Sequence, residues 1–178
     1  MPIKFKPITD VDFENLKKEM AYNPDTGEFW WLCQNKGRNR DLSKPVGSSN
    51  GQGYLRIKYK GISHSSHRLA FKFMGEPVPD CVDHINGNKG DNRWCNLRPA
   101  DRRKNVVNSE LRSDNTQKYR GVVNHKLCNG WTAQGSDENG KRVHLGVFTS
   151  KREAALAYNY HAEKVYGPFA KFNQVFDY

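Results

Sequence analysis

The chain has 178 residues, 36% of them hydrophobic, with 29 Lys and Arg against 19 Asp and Glu, a net charge of +10 and a pI near 9.5. That length allows one domain or two small ones with modest cores, and the charge favours a polyanionic partner: nucleic acid, a ribosome or an anionic membrane surface. No apolar run approaches the roughly 20 residues needed to cross a bilayer, and the N-terminus MPIKFKPITD lacks the apolar segment of a secretory signal, so a cytoplasmic protein, neither secreted nor in a membrane, is expected.

Residues 9–22 read as a helix, with Thr9 or Asp10 as cap and Phe13, Leu16 and Met20 at helical spacing. Pro24-Asp25-Thr26-Gly27 is a turn signal leading into a strand over Glu28–Cys33. Trp30 and Trp31 on that strand suit packing better than base stacking. Residues 34–52 are polar and carry Lys36, Arg38, Arg40 and Lys44. They form either a basic arm for DNA phosphates or a solvated linker. Tyr54–Tyr59 alternates as a strand, Ile62–Ser65 follows after Gly61, and His67–Met74 makes a short helix closed by Gly75. Leu69, Ala70, Phe73 and Met74 form its expected apolar face. His67 reads as a packing or supporting histidine, and Arg68 as a side chain able to reach a phosphate.

The chemistry concentrates in Cys81–Asn108, CVDHINGNKGDNRWCNLRPADRRKNVVN. Asp83 and His84 are adjacent, and Asn86–Asn92 is a polar loop with glycines suited to turns. Pro99 and Asp101 support a helix start around 99–101, carrying Asn105 and Asn108. Asp83 offers a carboxylate and Asn105 an amide oxygen, hard donors suited to Mg²⁺ or Mn²⁺ rather than zinc. His84, with an ordinary pKa of about 6.5, can accept a proton from water. Cys33, Cys81, Cys95 and Cys128 contain no C-x-x-C spacing. They read as reduced thiols, and no structural zinc is expected.

The pattern DHINGNKGDNRWCNLR followed by KNVVN resembles the HNH endonucleases, in particular the phage and intron-associated homing enzymes. The family's first histidine falls on His84, its middle asparagine on Asn96 and its third position on Asn105, a His-Asn-Asn variant. The resemblance implies a ββα-metal core in which His84 is the general base. Asp83 and Asn105 would hold one divalent cation, and Asn96 would brace the hairpin against the helix. HRLAF at 67–71 resembles the segment that precedes this motif in phage enzymes.

Residues 109–118, SELRSDNTQK, read as a linker between an HNH unit over 1–108 and a second unit over 119–174. Strand-like runs Tyr119–His125, Trp131–Ser136 and Arg142–Phe148 are separated by Asn129-Gly130 and Asn139-Gly140. Ser150-Lys151-Arg152-Glu153 is a capping box for a helix ended by Gly167. YRGV, WTA, GKR, LGVF, EAALAYN and FN resemble the plant Apetala-type (ethylene-response-factor) DNA-binding domain. That implies a three-stranded antiparallel sheet on one helix, entering the major groove with Arg120, Trp131 and Arg142, and with Lys126, Lys141 and His144 as additions. The first strand has Val123-Asn124-His125 where that family often has further arginines.

The α+β chain is therefore expected to be a metal-dependent endonuclease acting on double-stranded DNA, of phage homing type. Its alternatives are a non-catalytic DNA-binding regulator and an RNA-cutting enzyme.

Overall fold

The computed structural model describes residues 7–34, 39–100, 111, 115, 117–125 and 129–175. The chain divides into two compact units, Met1–Ala100 and Asp101–Tyr178. Both are mixed α and β, built on small antiparallel sheets. Among the described residues no helix is long and apolar enough to cross a membrane.

In the first unit, α1 (Asp10–Glu19) starts at Thr9, whose hydroxyl accepts from the Asp12 amide. The helix ends three residues earlier than its periodicity suggests. Met20–Asn23 instead forms β1, paired antiparallel with β2 (Glu28–Trp31), so Met20 lies opposite Trp31. Met20 is still buried, but sheet pairing overrides the helical register. The polar stretch 34–52 contributes a short strand, β3 (Ser48–Ser49), beside β4 (Leu55–Tyr59) and β5 (Ile62–Ser65). α2 (Ser66–Phe73) follows directly. Its buried apolar residues are Leu69, Ala70 and Phe71, whereas Met74 is exposed.

β6 (Cys81–His84) and β7 (Leu97–Ala100) pair as an antiparallel hairpin, bridged by a 3₁₀ turn at Trp94–Asn96. Pro99 and Ala100 are thus strand residues and not a helix start, because each pairs across to Val82 and Cys81. The helix expected beyond 101, with Asn105 and Asn108, lies outside the described residues. Phe13, Leu16, Met20, Phe29, Ile57, Tyr59, Leu69, Phe71, Val82 and Leu97 make one core. It backs the hairpin from α1, α2 and two sheets. Phe71 stands edge-on to Trp94 at 4.8 Å, fastening α2 to the 3₁₀ turn.

The second unit has β8 (Val122–Asn124), β9 (Trp131–Ser136) and β10 (Arg142–Phe148) in the order β10-β9-β8, with α3 (Lys151–Tyr166) packed against all three. This is the sheet-on-helix unit that its turn signals predict. The Ser150–Glu153 capping box is formed in both directions. Its core is small: Val122, Ala133, Ala154 and Ala155, flanked by Tyr119, Trp131, Leu145 and Phe148. Alanines on both sides let the helix lie close to the sheet. Gly121 has φ +66° and would place a Cβ inside the Tyr158 ring and the Gln134 carbonyl, so no other residue fits there.

Candidate active site and the open sheet

Asp83 and His84 sit at the end of β6 and are 3% and 4% exposed. Successive strand residues point to opposite faces. The two side chains accordingly meet different partners. Asp83 lies opposite Arg98 in the hairpin register, and its Oδ2 accepts from Arg98 Nε at 2.8 Å and Nη2 at 2.7 Å. Arg98 is a partner that sequence reading missed. The signal was available in principle, since a hairpin closing on Ile85–Asn96 places residue 98 across from residue 83.

Beyond the hairpin end, Ile85 donates its amide to the Asn96 carbonyl at 2.9 Å. The Asn96 side chain takes the amide of Asn86 at 3.0 Å and donates to Asn86 Oδ1 at 3.1 Å and the Asp91 carbonyl at 2.8 Å. Asn96 therefore ties the two ends of the 86–91 loop; the helix it was expected to brace the hairpin against lies outside the described residues. Asp91 is bound by Arg93, whose guanidinium holds its carboxyl down at about 2.

Asn92, His67 and Tyr54 are among the described groups that lie against the His84 imidazole. Asn92 Oδ1 is 3.4 Å from Nε2, the His67 ring is edge-on at 5.4 Å, and the Tyr54 ring lies at 6.0 Å. Burial lowers the His84 pKa; the Asn92 hydrogen bond and the charges of Asp83 and Asp91 oppose that, while Lys89 adds to it. Burial also pushes His67 down to about 3, helped by His84, Arg68 and Arg56. Lys89 Nζ stands 5.0 Å over the outer Tyr54 ring. Asn92, Tyr54 and Lys89 were not singled out by sequence reading, because their proximity to His84 arises from loop closure and from a separate sheet. Arg68, expected at a phosphate, directs Nη1 to the carbonyls of Pro79 and Asp80 at 2.9 and 3.2 Å, which holds the loop entering β6.

Among the described residues no three His, Cys, Asp or Glu side chains gather as a metal cluster. The expected cation pair is one carboxylate, Asp83, and one amide, Asn105, of which Asn105 lies outside the described residues. Cys33, Cys81 and Cys95 are free thiols; Cys128 also lies outside.

In the second unit the register sorts the candidate side chains. Ala133 pairs with Val122 and with Gly146, and these face α3. Trp131 has the same parity as Ala133 and packs against that core, with Lys151 Nζ 4.5 Å over its ring. Trp131 was expected in the groove, and the structure turns it to the helix instead. The opposite, uncovered face carries Val123, Thr132, Gln134, His144, Arg142 and Val147. Arg142 and His144 are exposed on it, and Lys141 is exposed at the adjoining turn. Lys126 lies outside the described residues. Arg120 sits just before Gly121, and its backbone is pinned on both sides by buried Asn173: Arg120 N donates to Oδ1 at 2.6 Å and Nδ2 donates to Arg120 O at 3.1 Å.

Two comparisons relate the chain to known proteins. Residues 65–107 match a family model described as HNH endonuclease, a span that includes His67, Asp83, His84, Asn92, Asn96 and Asn105. Over 86 residues the chain is 37% identical to dehydration-responsive element-binding protein 2D of Arabidopsis thaliana, a match covering 47% of this chain and 41% of that relative. The chain thus spans about two fifths of this relative's length. The matches place a nuclease-family segment over residues 65–107 and relate part of the chain to a plant protein named for binding a responsive element.

Proposed function

We propose that this chain is a metal-dependent DNA endonuclease of the HNH type, with its chemistry in the segment 65–107 that matches that family and a DNA-holding sheet over β8–β10. The observation that carries the reading is the buried His84 imidazole beside buried Asp83 at the end of a hairpin braced by Asn96. Such a base must be neutral to act, and burial favours the neutral form at working pH.

The donor set suits Mg²⁺ or Mn²⁺, which commonly bind through one or two carboxylates together with substrate phosphate oxygens and water. Asp83 would hold the cation with Asn105, sharing its carboxylate with Arg98. A bound cation would neutralise charge developing on the phosphate and the leaving oxygen. His84 takes the proton of the attacking water. Arg98 keeps the Asp83 carboxylate oriented, and Asn96 keeps the loop end closed. In-line attack and loss of the 3′ oxygen would leave a 3′-hydroxyl and a 5′-phosphate. Lys89, exposed at the rim, is suited to a flanking phosphate.

In the second unit Arg142, His144 and Lys141, with Gln134 and Thr132 between them, present donors and acceptors on an uncovered strand face. A two- or three-stranded ribbon of that kind fits the major groove. The partner is double-stranded DNA, the location cytoplasmic, and the biological role that of a phage homing endonuclease.

The deciding experiment is relaxation of supercoiled plasmid with Mg²⁺, with Mn²⁺ and with EDTA, alongside RNA of matched sequence. Metal-dependent cutting of DNA supports the reading. Binding to DNA without cutting under any cation would leave a non-catalytic regulator, in which the Asp83–Arg98 pair is purely structural. Preferential cutting of RNA would reassign the substrate.

A further inference from the structure

Asn92 is a deeply buried polar side chain beside His84, at 2% exposure. Its amide Nδ2 donates to the Gly90 carbonyl at 3.3 Å, and its Oδ1 faces His84 Nε2 at 3.4 Å. The carboxamide orientation is decided by this pair of contacts. Turning it over would set Oδ1 against the Gly90 carbonyl, two acceptors face to face. Its backbone is equally constrained. The Tyr22 hydroxyl donates to the Asn92 carbonyl at 2.7 Å, and Trp94 donates its amide to Pro24 O at 2.8 Å. Gly27, at φ +75°, presses so close that a Cβ there would overlap Asn92 and Arg93. The β1–β2 hairpin thus acts as a buttress for this one residue.

An amide oxygen only accepts. The ring nitrogen facing it must carry the hydrogen, and the lone pair of a neutral imidazole then resides on the other nitrogen. His67, edge-on at 5.4 Å, and Tyr54, at 6.0 Å, bound the rotation of the ring that would exchange the two.

We infer that Asn92 is a positioning residue that holds His84 in the Nε2–H tautomer, making Nδ1 the nitrogen that receives the proton of the attacking water. The tautomer itself follows from the local geometry; its use toward water rests on the nuclease reading above. The device differs from ordinary packing, because an apolar residue of similar size would fill the space without selecting a nitrogen.

The test has two arms on the full-length protein. Long-range ¹⁵N–¹H correlation spectra at pH 8, with His84 assigned through His84→Gln, report which ring nitrogen is protonated. A His84 Nε2–H signal that is protected from exchange in the native protein, and loses that protection in Asn92→Leu, is expected. A protonated Nδ1 would overturn the inference whatever the protein does to DNA. The second arm is single-turnover plasmid cleavage. Asn92→Leu is expected to lower kcat by about 10–100-fold, as for other groups that orient a working histidine, with KM nearly unchanged. Asn92→Asp, which keeps an acceptor, should recover part of that loss. Equal rates for native protein and Asn92→Leu would remove Asn92 from any positioning role. A native protein with Nε2–H but no cleavage would sink the nuclease reading while leaving the tautomer standing. Should Asn92→Leu fail to fold, the native spectrum and Asn92→Asp still decide the matter.

Discussion

The two units place their candidate working groups in opposite ways. In the first, Asp83, His84, Asn92 and Asn96 are among the most buried polar residues described. Each has a named partner, and an extensive aliphatic and aromatic core stands behind them. In the second, Arg142 and His144 stand exposed on a sheet whose other side packs on a small core of Val122 and alanines flanked by partly buried aromatics. The contrast suits the use proposed for each surface. Proton transfer and charge stabilisation need groups held to a fraction of an ångström in a medium that strengthens their fields. Reading a groove needs donors that project from a flat ribbon into another molecule. The first demands an interior; the second demands only a rigid platform.

The contrast would break first at His84. His84→Ala should lower the cleavage rate by about 10²–10⁴-fold while DNA affinity, measured by anisotropy, stays near the native value. Native turnover in that variant would remove His84 as the base.

Asp83 sharpens the comparison because it is both candidate ligand and half of a buried ion pair. Asp83→Ala leaves Arg98 with its carboxylate removed, and a broken buried pair of this kind costs about 3–5 kcal/mol. Urea unfolding of the full chain should show that loss, and cleavage should lose its response to Mg²⁺. Loss of stability with metal-stimulated cleavage retained would make Asp83 structural only.

Trp131 and Arg142 separate platform from reader within the second unit. Trp131→Ala should destabilise that unit, by an amount toward or below the lower end of the about 3–5 kcal/mol typical of large aromatic truncations, since it is only half-buried. Arg142→Ala should leave thermal stability alone. It should flatten the slope of log K against log salt by about 0.9 if it neutralises one phosphate, or relax preference at one base pair if it reads a base. Unchanged salt slope and unchanged cleavage map in Arg142→Ala and His144→Ala would exclude the open face from DNA binding. The reverse pattern, a Trp131 variant that folds normally but loses site preference, would put the reading face on the other side.

The smallest effect is one of pH. His67 is held down at about 3 in the native state, whereas an unfolded histidine titrates near 6.5. Between those values the unfolded chain binds a proton that the native state refuses. The contribution is fully present above about pH 6.5 and is lost progressively as pH falls toward 3. His67→Phe should therefore make the melting temperature of the first unit less sensitive to acid over that window. A pH profile parallel to that of the native protein would show that His67 is not held neutral.

Much of this was readable from residues alone. Turn chemistry and alternation located the strands and helices of the second unit, because short hairpins and a capping box are local devices whose geometry depends on a few neighbouring side chains. The DHI…NLR hairpin was equally legible, and with it the placing of Asp83 and His84 at its end. Contacts that close through space were not. Met20 keeps helical spacing yet pairs with Trp31, since a partner strand outweighs a weak local preference. Phe71, not Met74, fills the core, because which side of α2 is covered depends on Trp94 arriving from the hairpin. Trp131 alternates correctly as a strand residue, but alternation names two faces without saying which one the helix will cover. Asn92 looked like one more loop asparagine. Only the folded chain brings Gly90, Tyr22 and the Gly27 turn around it, and so aims its amide oxygen at His84. Residue types and spacing determine which chemistry is possible here, because they supply the acid, base and amide groups and the local turns. Tertiary structure decides which nitrogen, which oxygen and which face are used, because orientation is set by contacts between segments far apart in the chain.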